Sequence, residues 1–152
     1  MASWGDFVTA QPQLASAVTL MVVQYGPGLA YLATVRADGG PRVHPVSPVI
    51  TADGLYCFIV ESPKRRDLER DGRYALHSYP AESSDDEAYL SGRATPVEDP
   101  ALVNALATRT RAEPRVNWRL FSMDVEVAML VRRGQSAGMA QPVTCQVWRD
   151  GG

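Results

Sequence analysis

Ala33-Thr34-Val35-Arg36-Ala37-Asp38-Gly39-Gly40-Pro41-Arg42-Val43-His44-Pro45-Val46 reads as a strand, a tight turn and a returning strand. The turn chemistry sits in Asp38-Gly39-Gly40-Pro41, because glycine accepts positive φ and aspartate bonds to the backbone two residues on. The apolar, β-branched character extends back to Leu29 and on to Ile50, predicting strands over 29–36 and 42–50. The second arm breaks a rule. Pro45 and Pro48 both lie in it, and neither can donate to a ladder. Their odd spacing sends the two missing donors to opposite sides. Two compatible readings stay open: an edge strand with a bulge, and an irregular strand whose backbone groups and side chains face a ligand.

Working outward, the first 25 residues read as helix. Trp4, Phe7 and Val8 have helical spacing, and Leu14, Val18, Met21 and Val22 repeat it behind Pro12, a good first-turn residue. Gly26-Pro27-Gly28 is the stop. Downstream, Thr51-Ala52-Asp53-Gly54 is a second turn before a strand over Leu55–Glu61. A short helix over Pro63–Asp71 leads to a strand over Arg73–Tyr79. Ala81–Asp86 is an acidic, serine-rich loop, and Glu87–Val97 is a strand interrupted by Gly92. Asp99 and Pro100 cap and open a helix that runs to Arg111. Phe121–Val131 alternates with period two, placing Phe121, Met123, Val125, Val127 and Met129 on one face. Gly134–Pro142 is a loop, and Val143–Trp148 closes as a strand. About six strands joined mostly by tight turns predict an α+β fold, a mainly antiparallel barrel or sandwich flanked by helices. The connections are too short for parallel crossovers. One domain spans 1–152, with the helical segment 1–25 packed on it.

The composition fits that fold. The chain has 152 residues, 45% of them hydrophobic, which suits one packed core. A net charge of −2 with interspersed signs argues against a nucleic-acid partner. The longest apolar run near the N-terminus, Leu14–Val23, is far short of the roughly 20 residues of a membrane span. No secretory leader pattern precedes it, so a cytoplasmic location is expected. Cys57 and Cys145 both lie in apolar surroundings and read as buried thiols.

Ser62-Pro63-Lys64-Arg65-Arg66-Asp67-Leu68 carries the chemistry. Ser62 and Pro63 are an N-cap and first-turn pair. The first turn of a helix presents free N–H groups and partial positive charge, and normally attracts acidic residues. Here it holds three cations. That costs a few tenths of a kcal/mol per charge, roughly, unless an anion binds. Backbone amides, the Ser62 hydroxyl and a cation could then converge on one phosphate. Lys64 is the single lysine among 15 basic residues, which hints at a need for a compact ammonium at that point. A solvated basic helix end is the alternative.

The hairpin over residues 33–46, this capped helix, Asp71-Gly72-Arg73-Tyr74-Ala75-Leu76 and Tyr89-Leu90-Ser91-Gly92-Arg93-Ala94 together resemble the pyridoxamine 5′-phosphate oxidase-like superfamily, from about Gly28 to Val97. The resemblance implies a six-stranded split β-barrel that binds FMN, pairing as a homodimer with the cofactor in a groove at the interface. It implies that Ser62 and Lys64 hold the flavin phosphate. It puts His44 where the oxidase has a phosphate-contacting arginine, and Val46, Ser47, Ile59 and Val60 along the isoalloxazine ring. Pro63 stands where the oxidase has a second arginine, with Arg65 or Arg66 as substitutes from another direction. These departures point away from a true pyridoxamine-phosphate oxidase. They point toward a relative that uses FMN, or a deazaflavin coenzyme, to reduce another small molecule. A non-catalytic flavin or haem carrier and a cofactor-free dimeric module are the rival readings.

Other motifs carry less. Gly134-Gln135-Ser136-Ala137-Gly138 matches a nucleophile elbow, but no helix pattern and no histidine follow it. His77, in a strand, reads as a structural group. Asp85-Asp86-Glu87 reads as a solvated acidic loop, without the spacing of a metal site. Trp118, beside Arg115 and Arg119, is a candidate for stacking on a ligand. No catalytic acid or base emerges.

Overall fold

The structure, a computed structural model, describes residues 1–133, 135–136, 139–140 and 143–152. Among them are helices α1 (Trp4–Ala10), α2 (Pro12–Val22), α3 (Pro63–Arg70) and α4 (Pro100–Thr110). The main strands are β1 (Ala30–Val35), β2 (Pro41–Val46), β3 (Val49–Ile50), β4 (Leu55–Val60), β5 (Arg73–Ser78), β6 (Glu87–Pro96) and β7 (Trp118–Arg132). Two short strands, β8 (Gln135–Ser136) and β9 (Met139–Ala140), pair only with each other, and β10 (Thr144–Arg149) comes last. The rest of the expected loop over 134–142, with most of the elbow-like motif, lies outside the described residues. No helix among the described residues is long and apolar enough to cross a membrane.

One antiparallel half-barrel sheet runs β2-β1-β5-β6-β7-β4-β3, with β10 also on β7. It has eight strands where about six were expected. β7 explains how they fit. It is 15 residues long, and β6 occupies one of its edges. The other edge takes β4 at residues 118–122, a bridge from Ala2 at Val125, and β10 at residues 127–132.

The expected strand over 42–50 is two strands, broken at Ser47-Pro48. The break is where the chain crosses Gly28: a Cβ on Gly28 would lie 2.0 Å from the Pro48 carbonyl oxygen. Pro48 could not have bridged the gap, having no N–H to give a ladder.

The expected alternation along β7 also changes. Phe121, Met123 and Val125 are buried, but the buried set then shifts to Ala128 and Leu130. A bulge is the cause. Ser91 faces Val127 and Gly92 faces Val125, leaving Glu126 as the extra residue. Gly92 permits it, since a Cβ there would lie 1.9 Å from the Asp124 carbonyl oxygen.

The core lies on the concave side. Trp4 and Phe7 of α1 and Leu14 and Val18 of α2 pack there with Leu32, Leu76, Leu90 and Phe121. Ser3 caps α1 with a reciprocal capping box to Asp6. On the opposite face the register aligns Pro45, Tyr31, His77, Tyr89, Met129 and Val147 in one row across six strands. These six side chains are half-buried or exposed.

Cys57 is buried as expected, and burial pushes its thiol up to about 12. Cys145 is exposed, contrary to expectation. Its strand sits at the end of the sheet with four exposed residues in succession, Thr144 to Val147.

Candidate anion and ligand site at the start of helix α3

α3 starts as its sequence predicts. Ser62 is the N-cap, Pro63 the first residue, and no acidic side chain lies in the first turn. The Ser62 hydroxyl donates to the Val60 carbonyl at 2.8 Å and accepts the Arg65 N–H at a long 3.4 Å. That ties the cap to the end of β4.

The three cations of the first turn separate by role. The Arg65 guanidinium donates to Glu69 at 3.1 Å and to the backbone and side-chain oxygens of Asn117 at 3.1 and 3.0 Å. Asn117 in turn donates to Glu61. Arg65 therefore fastens α3 to the start of β7. Lys64, half-buried, makes no ion pair or hydrogen bond among the described residues. Arg66 is exposed and likewise makes none with its side chain.

Asp67 fixes the helix from below. Its carboxylate, 3% exposed, accepts Thr34 Oγ1 at 2.8 Å, Arg42 Nε at 2.7 Å and Arg70 Nη2 at 3.3 Å. Burial pushes the Asp67 carboxyl up, but Arg42, Thr34 and Arg70 together hold it below its ordinary range. The Arg42 bond brings β2 against α3. Two residues on, His44 faces the same helix end. Burial lowers the His44 pKa most, and the nearby Lys64 and Arg42 charges lower it further, against an opposing pull from Asp67. His44 and Lys64 thus share one electrostatic environment.

Val46 and Ser47 continue along β2 to the break at Pro48. Val46 packs against the core and Ser47 is exposed. Val60 is half-buried, whereas Ile59 is 1% exposed with its side chain in the core. Ile59 therefore offers a ligand its backbone edge only. That edge is open: β4 pairs with β3 at Leu55 and Tyr56 alone, and β2 pairs only with β1 among the described residues. Two strand edges with unpaired backbone groups border the start of α3.

This arrangement fits an anionic group. It supplies the first-turn ammonium and N–H of Lys64, without partners among the described residues, an imidazole beside them, and a serine hydroxyl that rotation can release. Trp118 pairs with Val60 in the ladder beside the site. Its indole N–H donates to the Glu113 carbonyl at 3.0 Å, and its ring meets Phe58 edge-on at 6.4 Å. Sequence reasoning missed the Asp67 hub and the Asn117 clamp. Their partners are 25 to 52 residues away, and no local pattern announces them.

A half-barrel of antiparallel strands with a capped helix presented at its open edges defines the split-barrel class. The chain belongs to the pyridoxamine 5′-phosphate oxidase family, whose profile, described as Pyridoxamine 5′-phosphate oxidase, matches residues 12–132. No curated protein matches the chain in sequence. Among solved structures, HutZ of Vibrio cholerae, described as a haem storage protein, is 17% identical with a TM-score of 0.57, over 76% of this chain and 89% of that one. A haem-binding protein of Mycobacterium smegmatis is 16% identical with a TM-score of 0.59, over 86% of this chain. The match spans 57% of that protein's length. General Stress Protein 26 of Bacillus anthracis is 21% identical with a TM-score of 0.60, over 76% of this chain and 91% of that one. At these identities the likeness is one of fold.

Proposed function

We propose that the protein is a cytoplasmic, homodimeric oxidoreductase that uses FMN, or alternatively a deazaflavin coenzyme, to act on a small molecule. The observation that carries this reading is Lys64 at the capped start of α3, beside His44 and without an ion pair or hydrogen bond among the described residues. Lys64 and Ser62 would hold the cofactor phosphate, with His44 at its flank. The open backbone edges of β2 and β4, at Val46, Ser47, Ile59 and Val60, would border the ring. The bound cofactor would supply the hydride or electron transfer, while the protein binds and orients it and excludes water. Arg65 would act through α3, holding its first turn in place by way of Glu69 and Asn117. The exposed valines of the outer face, Val43 and Val147, mark the surface proposed for pairing two copies, with Tyr31 and His77 left open to solvent.

Titration of the purified apo-protein with FMN and with the deazaflavin coenzyme, followed by cofactor fluorescence, tests the reading. Saturable binding of one, weakened about tenfold or more in Lys64→Ala, is the expected result, since a charge-assisted hydrogen bond contributes about 1.5–3 kcal/mol. Unchanged affinity in the variant would remove the anion-site assignment.

A haem-binding, non-catalytic role is the second reading. It is favoured by two fold neighbours described as haem storage and haem-binding proteins. A haem titration with a saturable Soret shift, and no binding of either flavin, would support it. Binding of neither class would leave a cofactor-free dimeric module.

A further inference from the structure

We propose that a second pocket, on the outer face of the sheet, binds a planar guanidinium or amidinium group. It does not depend on the flavin reading. The pocket has a volume of about 510 Å³, the size of small-molecule sites.

Its base is a pair of aromatic rings. Tyr31 of β1 and Tyr79 lie stacked, with centroids 4.4 Å apart and planes within 20°. Tyr31 is 40% exposed, so it presents a ring face to a flat cation.

The pocket is held in shape on both sides. Gln24 donates to the Tyr79 carbonyl at 3.0 Å, and the Tyr25 hydroxyl donates to the Pro80 carbonyl. From the opposite side the Arg133 N–H donates to Asp86 at 2.7 Å, and its guanidinium to the Asp85 carbonyl at 3.0 Å. The acidic segment expected to be a solvated loop is thus one wall of a cavity.

The polar centre is His77 facing Glu87. His77 Nδ1 lies 2.7 Å from the Ser78 carbonyl oxygen. A carbonyl only accepts, so Nδ1 carries a proton and Nε2 is the ring nitrogen turned toward the pocket. Nε2 faces Glu87 Oε2 at 3.9 Å. In the Nδ1–H tautomer two acceptors face each other across a gap too wide for a hydrogen bond, and Glu87 Oε2 accepts one donor from its other side, Arg133 Nη1 at 3.1 Å. A guanidinium or amidinium presents two parallel N–H groups about 2.3 Å apart, which reach both acceptors at hydrogen-bond length with little bending. Stacking on Tyr31 keeps the cation in that plane. Charge selects the same class. Asp85 and Glu87 line the pocket, and Arg133, the one arginine or lysine among the described residues that line it, is already engaged by Glu87 at 3.1 Å. An anion such as a haem carboxylate would meet repulsion.

Benzamidinium and methylguanidinium are the probes, with benzoate as the anionic control. Binding is followed by tyrosine fluorescence and by the ring-nitrogen NMR signals of His77. The expected result is saturable benzamidinium binding that moves the His77 Nε2 signal. Glu87→Gln should weaken it about tenfold, and Tyr31→Leu, which leaves the Arg133–Glu87 contact alone, should weaken it severalfold. Benzamidinium binding tenfold tighter than methylguanidinium would assign a small molecule that fills the cavity. Equal binding would assign the tip of an arginine from a partner chain. Benzoate binding as well as benzamidinium, no saturable binding, or insensitivity to both variants would overturn the proposal.

Discussion

The family resemblance puts His44 where the oxidase pattern has a permanently charged arginine, and an imidazole answers to pH as a guanidinium cannot. Burial and the Lys64 and Arg42 charges lower its pKa, so near neutrality the ring is uncharged. As pH falls through the ordinary histidine range, the unfolded chain takes up this proton first. His44 alone therefore lowers stability between its ordinary and its folded value. A bound phosphate reverses the balance by favouring the charged ring. FMN affinity should rise about three- to tenfold from pH 8 to pH 6 relative to His44→Gln, in which the added slope is absent. Parallel slopes in the two proteins would remove His44 from the site. Asp67 acts with the same sign in a lower pH window. Its lowered carboxyl pKa gives stability that is fully present above about pH 4, and is lost as pH falls through the folded value. Asp67→Asn should cost about 2 kcal/mol at pH 7, less than a wholly buried pair because Arg42 and Arg70 reach water. A melting temperature about 4–8 °C lower is expected, with the difference narrowing below pH 4.

At the scale of elements, the hairpin and α3 were legible because each is decided locally. Asp38-Gly39-Gly40-Pro41 turns the chain, and Ser62-Pro63 starts a helix, whatever lies around them. The two elements that departed from expectation are decided by partners. The break at Ser47-Pro48 exists because Gly28 passes within contact of Pro48. The shift along β7 exists because β6 pairs across a bulge. Period-two alternation cannot register an extra residue that only the neighbouring strand reveals. The same reasoning gives a test. Gly92→Ala drives a methyl into the Asp124 carbonyl, and should cost about 3 kcal/mol by urea denaturation. Much of the site was legible in Ser62 and Lys64. Arg65 could not be separated from them, because Asn117 lies 52 residues away.

Over the whole molecule, α1 and α2 cover the concave face and α4 packs on the opposite face over Tyr56 and Leu120, while the rest of that face shows apolar side chains to water. Val43 and Val147 are among the exposed large hydrophobic residues on it. The homodimer proposed from family resemblance needs such a face. Replacing both valines by lysine should convert a dimer to a monomer in sedimentation velocity, with the far-ultraviolet circular dichroism unchanged. A wild-type monomer, or a dimer untouched by the pair, would place the contact elsewhere. This face was not visible in the sequence, since it is assembled from six strands whose order follows no chain sequence.

Cys57, midway along β4, has its sulfur sealed in the core and its thiol held protonated to about 12. That makes it a natural clock. A thiol reagent can reach it only when the core packed over β4 opens, so its labelling rate times the opening of the half-barrel. Any ligand seated on the open edge of β4 should slow that clock without touching the cysteine.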